Sequence, residues 1–467
     1  MVFFLLFFAY KQEKDMEQVA MIKLISDQLQ ASQGKYISYT YEIPLQKPLQ
    51  LFQRTSAYQG QRSFWQTNDG ELTMIGLLPL KRLFNCDFEK IQNFQAEFKA
   101  KWLNLTPEGG LSPRLLGGFA FNLADQSTTE WHRLENGYFM LPQLLFLLSP
   151  KKAQVVLTTI ADANLEAQLQ NLQKQVERIL EDAPITEPTQ PITGEELAVT
   201  KWLNLVERSI TEIKAGKMKK VVLARRLKVT GEKAFNSAVI LGRLMKQQTN
   251  TYHFLLEDGD TFFIGATPER LVRATKDQFA TASVAGSIGR GQTPVEDDQL
   301  GNQLLNDAKN QLEHQIVVDR IKQSLAPFVE NVIVGPAQLL KNHDIQHIYH
   351  PIKGKRLANQ PLLTVVKALH PTPALGGEPR SKALPWLATE EDAGRGMYGG
   401  PIGWLDLIRD EGEFAVGLRS GVFSQNAGYL YAGCGIVADS IPEKERVETR
   451  LKFQPMLRGI CDQCILK

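Results

Sequence analysis

The chain up to residue 182 alternates hydrophobic and polar positions in the way expected of strands in a half-buried sheet. Such segments lie at 36–45, 70–78 and 117–122, with turn residues between them. Residues 162–182 instead place apolar side chains at helical spacing and predict one amphipathic helix. Its apolar stripe consists of Leu165, Leu169, Leu172, Val176 and Ile179. This part of the chain is therefore predicted to be mixed α/β structure.

A proline-rich stretch at 183–194 predicts a linker, which separates an N-terminal α/β part at 16–182 from a second part at 195–467. In the second part, the apolar pattern predicts strands that pair mostly in antiparallel fashion. These strands are predicted at 219–229, 262–265, 271–274, 278–285 and 429–437, the last of them being the final strand.

Three helices are predicted in the second part, at 195–215, at 297–325 and from Ser440 onward. Gly216 is expected just beyond the end of the first helix, in the position that favours glycine. Ser440 and Glu443 match a capping box at the start of the last helix. The buried ridge of the long middle helix is predicted to be Leu300, Leu304, Ala308, Leu312 and Ile316.

Charge and cysteine content exclude several classes of partner. The 467 residues include 53 basic and 51 acidic side chains with no concentration of one sign, so neither nucleic acid nor an anionic membrane is an expected partner. The cysteines are Cys86, Cys434, Cys461 and Cys464. The last two form a single CxxC, which is too little for a zinc ribbon, and no disulfide framework is present. A reducing, cytoplasmic location is therefore expected.

The first residues, MVFFLLFFAY at 1–10, form a short apolar run. The run is far shorter than the ~20 residues that span a bilayer, and it has neither a basic segment before it nor a small-residue cleavage site after it. We interpret residues 1–15 as an extension upstream of a start at Met16 or Met21, with a signal peptide as the alternative. No membrane association is expected.

The last predicted helix carries Glu445, Glu448 and Lys452 at i, i+3 and i+7, so the three side chains project from one side. Carboxylate oxygens in that arrangement suit Mg²⁺. The preceding glycine-rich segment AGCGIVADS at 432–440 supplies free backbone N–H groups that suit a substrate carboxylate. A solvated face of surface ion pairs is the alternative interpretation of the same pattern.

Three other charged residues are candidates for chemistry. Glu313 lies beside the predicted apolar ridge of the middle helix, where either a metal ion or a structural salt bridge would satisfy it. Lys220 stands near the start of an apolar strand, and Glu269 lies in the turn GATPERL at 265–271. A lysine shielded from water can act as a base and a shielded glutamate as an acid, although each can also be a structural charge.

His343, His347 and His350 in HDIQHIYH have spacing that would need a helix to form a metal site. The apolar pattern of the same segment favours an extended conformation before Pro351, so we expect no zinc there.

Taken together, these segments resemble the chorismate-binding enzymes. The matching strings are KVVLAR (220–225), GATPERL (265–271), VAGSIGRG (284–291), EHQIVVD (313–319), HPTPALGG (370–377), YGGPIGW (398–404), FAVGLRS (414–420) and AGCGIVADSIPEKERVETRLK (432–452). They occur in family order over the second part of the chain. The resemblance implies an α+β fold, a large single unit of stacked antiparallel β-sheets with helices outside, whose catalytic part is 195–467.

The resemblance also implies a role for each matched position. Glu313 and Glu448 would hold Mg²⁺, with Glu445 acting through water. Lys220 would activate water for attack at C2 of chorismate, and Glu269 would protonate the departing C4 hydroxyl. The implied substrate-binding positions are Gly286, Ser287, His370, Ala374, Tyr398, Arg419, Gly433 and Lys452.

Within the family, single residues indicate the isochorismate synthase branch. Members that add ammonia usually carry glutamine where this chain has Lys220, and one type of aminodeoxychorismate synthase carries lysine at the position of Ala285. Ala374 replaces the threonine usual in salicylate and anthranilate synthases. Salicylate synthase activity is the alternative, and a non-catalytic chorismate-binding subunit is the alternative of another class. No glutaminase partner is expected.

Overall fold

A computed structural model describes residues 34–106, 109–125, 128–184, 190–462 and 464–466 of the protein, with the backbone alone at Lys309, Glu313 and Leu466. Its strands are β1 (Tyr36–Ile43), β2 (Arg62–Gln66), β3 (Thr73–Phe84), β4 (Trp102–Asn104), β5 (Arg114–Gly118), β6 (Tyr138–Leu148), β7 (Ala153–Ile160), β8 (Ile192–Glu196), β9 (Lys220–Gly231), β10 (Tyr252–Asp258), β11 (Thr261–Thr267), β12 (Arg270–Ala274), β13 (Gln278–Gly289), β14 (Val329–Val334), β15 (Gln338–Lys341), β16 (Ile345–Arg356), β17 (Gly377–Glu378), β18 (Pro401–Asp406), β19 (Gly412–Val416), β20 (Ser420–Ser424), β21 (Ala427–Ile436) and β22 (Cys464–Leu466). The predicted extension at 1–15 lies outside the described residues.

The α-helices in the same residues are α1 (Pro48–Arg54), α2 (Phe88–Lys101), α3 (Leu165–Glu181), α4 (Val199–Lys214), α5 (Ser237–Gln247), α6 (Pro294–Asn306), α7 (Ala308–Leu325), α8 (Leu362–Leu369), α9 (Arg380–Glu390) and α10 (Pro442–Ile460). Short 3₁₀ turns lie at Ser56–Tyr58, Thr129–Leu134 and Ala326–Phe328. Within the described part of the chain, none of the helices has both the length and the apolar character needed to cross a bilayer.

Hydrogen bonds connect the described strands into two arms of one largely antiparallel sheet. The first arm runs β4-β1-β7-β6-β3-β2-β10-β11-β20-β21-β9-β8-β22, and its terminal pairs β1–β4 and β8–β22 are parallel. The second arm runs β5-β18-β19-β12-β13-β16, with β14 and β15 along β16. The arms meet where β5 pairs with β6. Each half of the chain therefore contributes strands to both arms.

The core has one layer between the arms and one on each outer side. Between the arms, aromatic side chains such as Trp65, Tyr138 and Phe263 pack against Trp404 and Ile402 of β18. Helices α1, α3, α5 and α10 cover one outer side, and α2, α4, α7, α8 and α9 cover the other. The α+β prediction of stacked antiparallel sheets with helices outside is confirmed.

Amphipathic periodicity predicted α3 well, and all five residues of its predicted stripe are buried. The prediction of a single helix at 297–325 was wrong, because Asp307 divides it into α6 and α7. The Asp307 side chain accepts a hydrogen bond from Asn310 N at 2.8 Å and caps α7. This break changes the phase of the helix. Leu312 and Ile316 are consequently exposed (67% and 45%), and the buried residues of α7 include Val317, Val318, Ile321 and Leu325.

Three other boundaries differ from the sequence predictions. The predicted linker ends in strand β8, which starts at Ile192, and helix α4 begins only at Val199. Gly216 follows that helix with φ of 77°, the left-handed conformation expected beyond a helix end, and donates its N–H to the Ile213 carbonyl. The final strand is β22 rather than β21.

The predicted capping box of the last helix is also absent. Pro442 occupies the first turn of α10, so the N-cap residue is Ile441, and it makes no side-chain capping bond. Ser440 instead accepts a hydrogen bond from Val437 N at 3.2 Å. Proline is favourable in the first helical turn because its missing N–H would have no helical partner there.

Candidate active site

The pairing of β9 with β21 places Lys220 over a sheet surface that is kept open by glycine. Gly433 lies opposite Ala224 and Gly435 lies opposite Val222. A Cβ atom added at Gly435 would lie 2.5 Å from Lys220 Cε and 3.1 Å from Nζ. Any side chain at position 435 would therefore displace the lysine, and glycine there leaves room for the Lys220 side chain above the sheet.

Tyr398 lies over the neighbouring glycine on the same strand. A Cβ atom at Gly433 would lie 3.2 Å from the Tyr398 hydroxyl, and the Tyr398 ring stacks on Tyr431 with 5.1 Å between centroids. Lys220 therefore covers Gly435, and Tyr398 covers Gly433, two residues earlier on β21. Tyr398 and Gly433, which are both predicted substrate-binding positions, are brought together in this way.

Glu269 lies between β11 and β12 in a tight turn. Its N–H donates to Thr267 Oγ1 at 3.3 Å, and its carbonyl accepts from Val416 N at 3.0 Å. The residue is 8% exposed. Burial raises the pKa of its carboxyl from 4.5 to about 7, although the positive charges of Arg419 and Lys452 act in the opposite direction. Glu269 therefore holds a proton near neutral pH while facing two cations.

Arg419 and Lys452 are the two cations whose charges act on Glu269. Arg419 adopts φ of 48°, a left-handed conformation that is uncommon for a residue with a side chain and that tends to occur at functional sites. Burial lowers the pKa of its guanidinium. Lys452 Nζ donates to the Gly433 carbonyl at 2.9 Å and lies 2.6 Å from Glu448 Oε1. The two side chains form a positively charged region suited to carboxylates.

Glu445 and Glu448 project from the same side of α10 as Lys452, as predicted. Burial raises the pKa of the Glu445 carboxyl, and the negative charge of Glu448 raises it further. A hydrogen bond with Ser440 acts in the opposite direction. Two carboxylates that repel each other, one of them half-buried, fit a hard divalent cation. Among the side chains that the structure describes, which exclude that of Glu313, no three potential ligands form a cluster.

Glu313 lies on α7, and the structure describes only its backbone. The next residue, His314, fixes that turn of the helix against β13. His314 Nδ1 donates to the Ala285 carbonyl at 3.0 Å, and its Nε2 lies 2.6 Å from His350 Nδ1. Burial lowers the pKa of His314 to about 4, so the ring is neutral and Nε2 accepts the proton of His350. The bond from His314 to the Ala285 carbonyl places the backbone of Glu313 near the end of strand β13 that carries Gly286 and Ser287.

His347 belongs to the site, and sequence analysis overlooked it. Its Nδ1 lies 2.8 Å from Ser287 Oγ and 3.3 Å from the Gly286 carbonyl. Burial, reinforced by the charges of Arg419 and Lys452, lowers its pKa to about 3, so the ring stays neutral. The segment that carries His347 and His350 is extended as predicted (β16). The alternation of that strand, which turns His347 to the opposite face from His350, was the available signal.

His370 and Ala374 belong to the segment between α8 and β17. The His370 Nε2–H donates to the Phe121 carbonyl at 2.9 Å, and Nδ1 has no hydrogen-bond partner among the described residues. Burial lowers the pKa of His370 to about 4. Ala374 is half-buried beside Leu375. Hydrogen bonds join the segment to β9 and to Phe121, and the binding roles expected for His370 and Ala374 stay predictions.

The C-terminal cysteines lie away from these residues. Cys461 is buried after α10 and donates to the Leu457 carbonyl, while Cys464 begins β22. Burial raises the pKa of Cys461 to about 12, which disfavours the reactive thiolate. No role in the site follows for this CxxC.

Comparisons with known proteins cover nearly the whole chain. The family model described as chorismate binding enzyme matches residues 21–461. The isochorismate synthase MenF of Bacillus subtilis is 33% identical over 441 residues, which are 91% of this chain and 93% of that protein. The salicylate biosynthesis isochorismate synthase of Pseudomonas aeruginosa is 31% identical over 432 residues, 91% and 90% of the two chains. The solved structure of the menaquinone-specific isochorismate synthase MenF from Escherichia coli aligns with a TM-score of 0.80 at 26% identity, covering 95% of this chain and 99% of that one.

The buried proton of Glu269 predicts a pH-dependent difference between the wild type and Glu269→Gln. Between pH 4.5 and about 7 the unfolded state ionises while the folded state keeps its proton, so wild-type stability falls relative to the variant as pH rises. At about 1.4 kcal/mol for each pH unit, the relative loss is roughly 3 kcal/mol, complete above pH 7 and absent below pH 4.5. Urea unfolding at a series of pH values measures it. The exposed Glu443→Gln is the control, and a difference for Glu269→Gln that stays constant with pH would contradict the buried proton.

Proposed function

The chain belongs to the chorismate-binding enzyme family, and on that premise we propose that it is an isochorismate synthase, an isomerase that converts chorismate to isochorismate. The observation that carries this proposal is the pairing of a shielded acid with a lysine in one site. Glu269 keeps a proton to about pH 7, and Lys220 lies over Gly435 of β21. A module that only binds chorismate needs neither a proton donor nor a base.

The proposed reaction is an addition of water coupled to a loss of water. Lys220, as the neutral amine, removes a proton from the water that attacks C2 of the ring. The two ring double bonds shift, and the C4–O bond breaks. Glu269 donates its proton to the departing C4 hydroxyl, which leaves as water. The ring gains one hydroxyl and loses one, so no oxidant or reductant is needed. Each turnover leaves Lys220 protonated and Glu269 ionised, and the return of one proton from the lysine to the glutamate through solvent restores the starting state.

The cations and backbone groups around these two residues suit the carboxylates of chorismate. We assign Arg419 and Lys452 to charge-assisted hydrogen bonds with the substrate carboxylates. Ser287, oriented by His347, and the backbone of Gly286 and Gly433 are proposed as further donors. Tyr398 covers the ring beside Gly433, and His370 and Ala374 line the remaining wall in this proposal.

Magnesium is the proposed cofactor, held by Glu313 and Glu448 directly and by Glu445 through water. When bound, Mg²⁺ would neutralise the ring carboxylate of the substrate and draw electron density from the ring. The salt bridge between Lys452 and Glu448 then joins the metal ligands to the substrate-binding cations. Together these residues orient the ring carboxylate, while Lys220 and Glu269 handle the protons.

The direct test is incubation of the purified protein with chorismate and Mg²⁺ in the absence of ammonia, followed by chromatographic identification of the product. We expect isochorismate that forms only when Mg²⁺ is present. Salicylate as the main product would transfer the chain to the alternative of a salicylate synthase, in which pyruvate elimination follows at the same site. A protein that binds chorismate without turnover would instead support a non-catalytic binding subunit.

Lys220→Ala is expected to lose isochorismate formation while it keeps chorismate binding, because the base acts on water and not on the substrate carboxylates. Turnover assays and isothermal titration with chorismate separate the two properties. The matched control is Lys219→Ala, whose side chain is exposed at the neighbouring position. Turnover of Lys220→Ala near the wild-type rate would refute the assignment of the base.

Glu448→Gln and Glu313→Gln are each expected to weaken Mg²⁺ binding by on the order of 10- to 100-fold. The reason is that an amide oxygen carries no charge for the metal ion. Titration of Mg²⁺ by calorimetry measures the affinity independently of turnover. Glu443→Gln, which removes an exposed carboxylate from the first turn of the same helix, should leave the affinity unchanged. Identical titration curves for all three variants and the wild type would show that the ligands are misassigned.

A further inference from the structure

Arg395 is a fully buried arginine outside the set of predicted site residues. It is 2% exposed, and its guanidinium lies 4.2 Å from the centre of the Phe121 ring. Its partner Glu391 is 9% exposed and accepts from Arg395 Nε at 2.7 Å and from Nη2 at 2.6 Å. Removing such a charge from water is costly, so the remaining donors of the pair are expected to have specific partners.

Those remaining donors and acceptors bind the main chain of two other segments. Arg395 Nη2 donates to the Val222 carbonyl at 2.6 Å, and Nη1 donates to the Leu375 carbonyl at 3.1 Å. Glu391 Oε1 accepts from Ala224 N at 2.8 Å. The pair thus joins strand β9 to the segment between α8 and β17.

These bonds lie at a gap in the strand pairing along one edge of β9. One edge of β9 pairs with β21 along almost its whole length. On the other edge, β17 pairs only with Lys220 and Val221, and β8 pairs from Leu227 onward. Among the described strands none continues the ladder between these two pairings, and there the Arg395 side chain bonds the Val222 carbonyl and the Glu391 side chain bonds the Ala224 N–H. The ion pair takes the place of a missing strand.

This gap adjoins Lys220. Val222 is two residues after Lys220 on the same face of β9, and Leu375 directly follows Ala374. The turn that contains Arg395 continues to Tyr398, whose N–H donates to the Arg395 carbonyl at 3.0 Å. One guanidinium therefore contacts the strand of the proposed base and the segment of Ala374, while its own backbone holds the turn that carries Tyr398.

We propose that Arg395, held by Glu391, is a positioning residue that fixes the start of β9 so that Lys220 meets the attacking water. The inference rests on the proposed function, because it takes Lys220 to be the base. Arg395 acts through hydrogen bonds to main-chain carbonyls and has no contact with the reacting atoms. A lysine at this position can bond one or two of the four acceptor sites, whereas the planar guanidinium reaches all of them.

The experiment compares wild type, Arg395→Met, Arg395→Lys and Glu391→Gln in steady-state isochorismate formation with Mg²⁺. A displacement of about 1 Å at a catalytic group can cost on the order of 100-fold. We expect Arg395→Met to lower kcat by roughly that factor while KM for chorismate changes by less than about threefold, because Arg419 and Lys452 are untouched. Arg395→Lys and Glu391→Gln, which each keep part of the network, should fall between Arg395→Met and the wild type.

A second buried ion pair offers a matched control for the loss of stability alone. Arg62 and Glu257 lie 2.7 Å apart with side chains 1% and 2% exposed, and they join β2 to β10. Arg62→Met should destabilise the fold, as measured by urea unfolding, yet leave kcat per folded molecule unchanged. A structural role for Arg395 would give both methionine variants the same kinetic behaviour.

The outcomes separate the two proposals. A wild-type protein that forms no isochorismate would overturn the proposed function itself. An active wild type with unchanged kcat in Arg395→Met, or with the same kcat loss in Arg62→Met, would overturn only the positioning role. If Arg395→Met does not fold, Arg395→Lys and Glu391→Gln decide the question: a lowered kcat at near-constant KM supports the role, and wild-type kcat in both overturns it.

Discussion

The antiparallel register between β9 and β21 is the constraint on which the candidate site depends. With Gly435 opposite Val222 and Gly433 opposite Ala224, both glycines lie on the face of the sheet that carries Lys220. A slip of one residue would turn every side chain of one strand to the other face. It would also put Cys434, which is buried on the opposite side, beneath the lysine. The site therefore exists only in this register, and the surrounding layers of the core hold it there.

Burial and nearby charge together set the protonation of the groups around this surface, and they oppose each other at one group and act together at another. At Glu269 burial outweighs two nearby cations and keeps the carboxyl protonated to about pH 7. At His347 burial and the same cations act together, so the imidazole stays neutral with a pKa of about 3. One pair of positive charges thus coexists with a neutral acid and a neutral imidazole. An uncharged acid is the form that can donate a proton to a leaving group.

The sequence predicted a helix correctly where regular apolar spacing alone decides it, and it misplaced helix boundaries where a single residue interrupts the pattern. Helix α3 was predicted correctly because its stripe reflects local spacing, and all of its apolar positions meet the same sheet. The segment 297–325 was predicted as one helix because its apolar spacing continues through Asp307, whereas the capping bond of that side chain ends the regularity. The assumed cap at Ser440 failed for a similar reason, since Pro442 sets the start of α10 one residue later. In both cases one local feature, a side-chain capping bond at Asp307 and a proline at position 442, set the helix boundary.

By itself the sequence determined the family, the α+β class and the candidate residues that lie within short motifs, because these depend on residue type and near-neighbour spacing. Only the tertiary structure revealed that His347 bonds Ser287 across 60 residues and that Arg395 closes a gap in β9 across 173. It also decided the protonation of Glu269, because burial raises the pKa of its carboxyl against the opposing charges of Arg419 and Lys452, which lie more than a hundred residues away in the chain. Burial and hydrogen-bond partners are set by how distant segments pack, and no pattern along the chain records that packing.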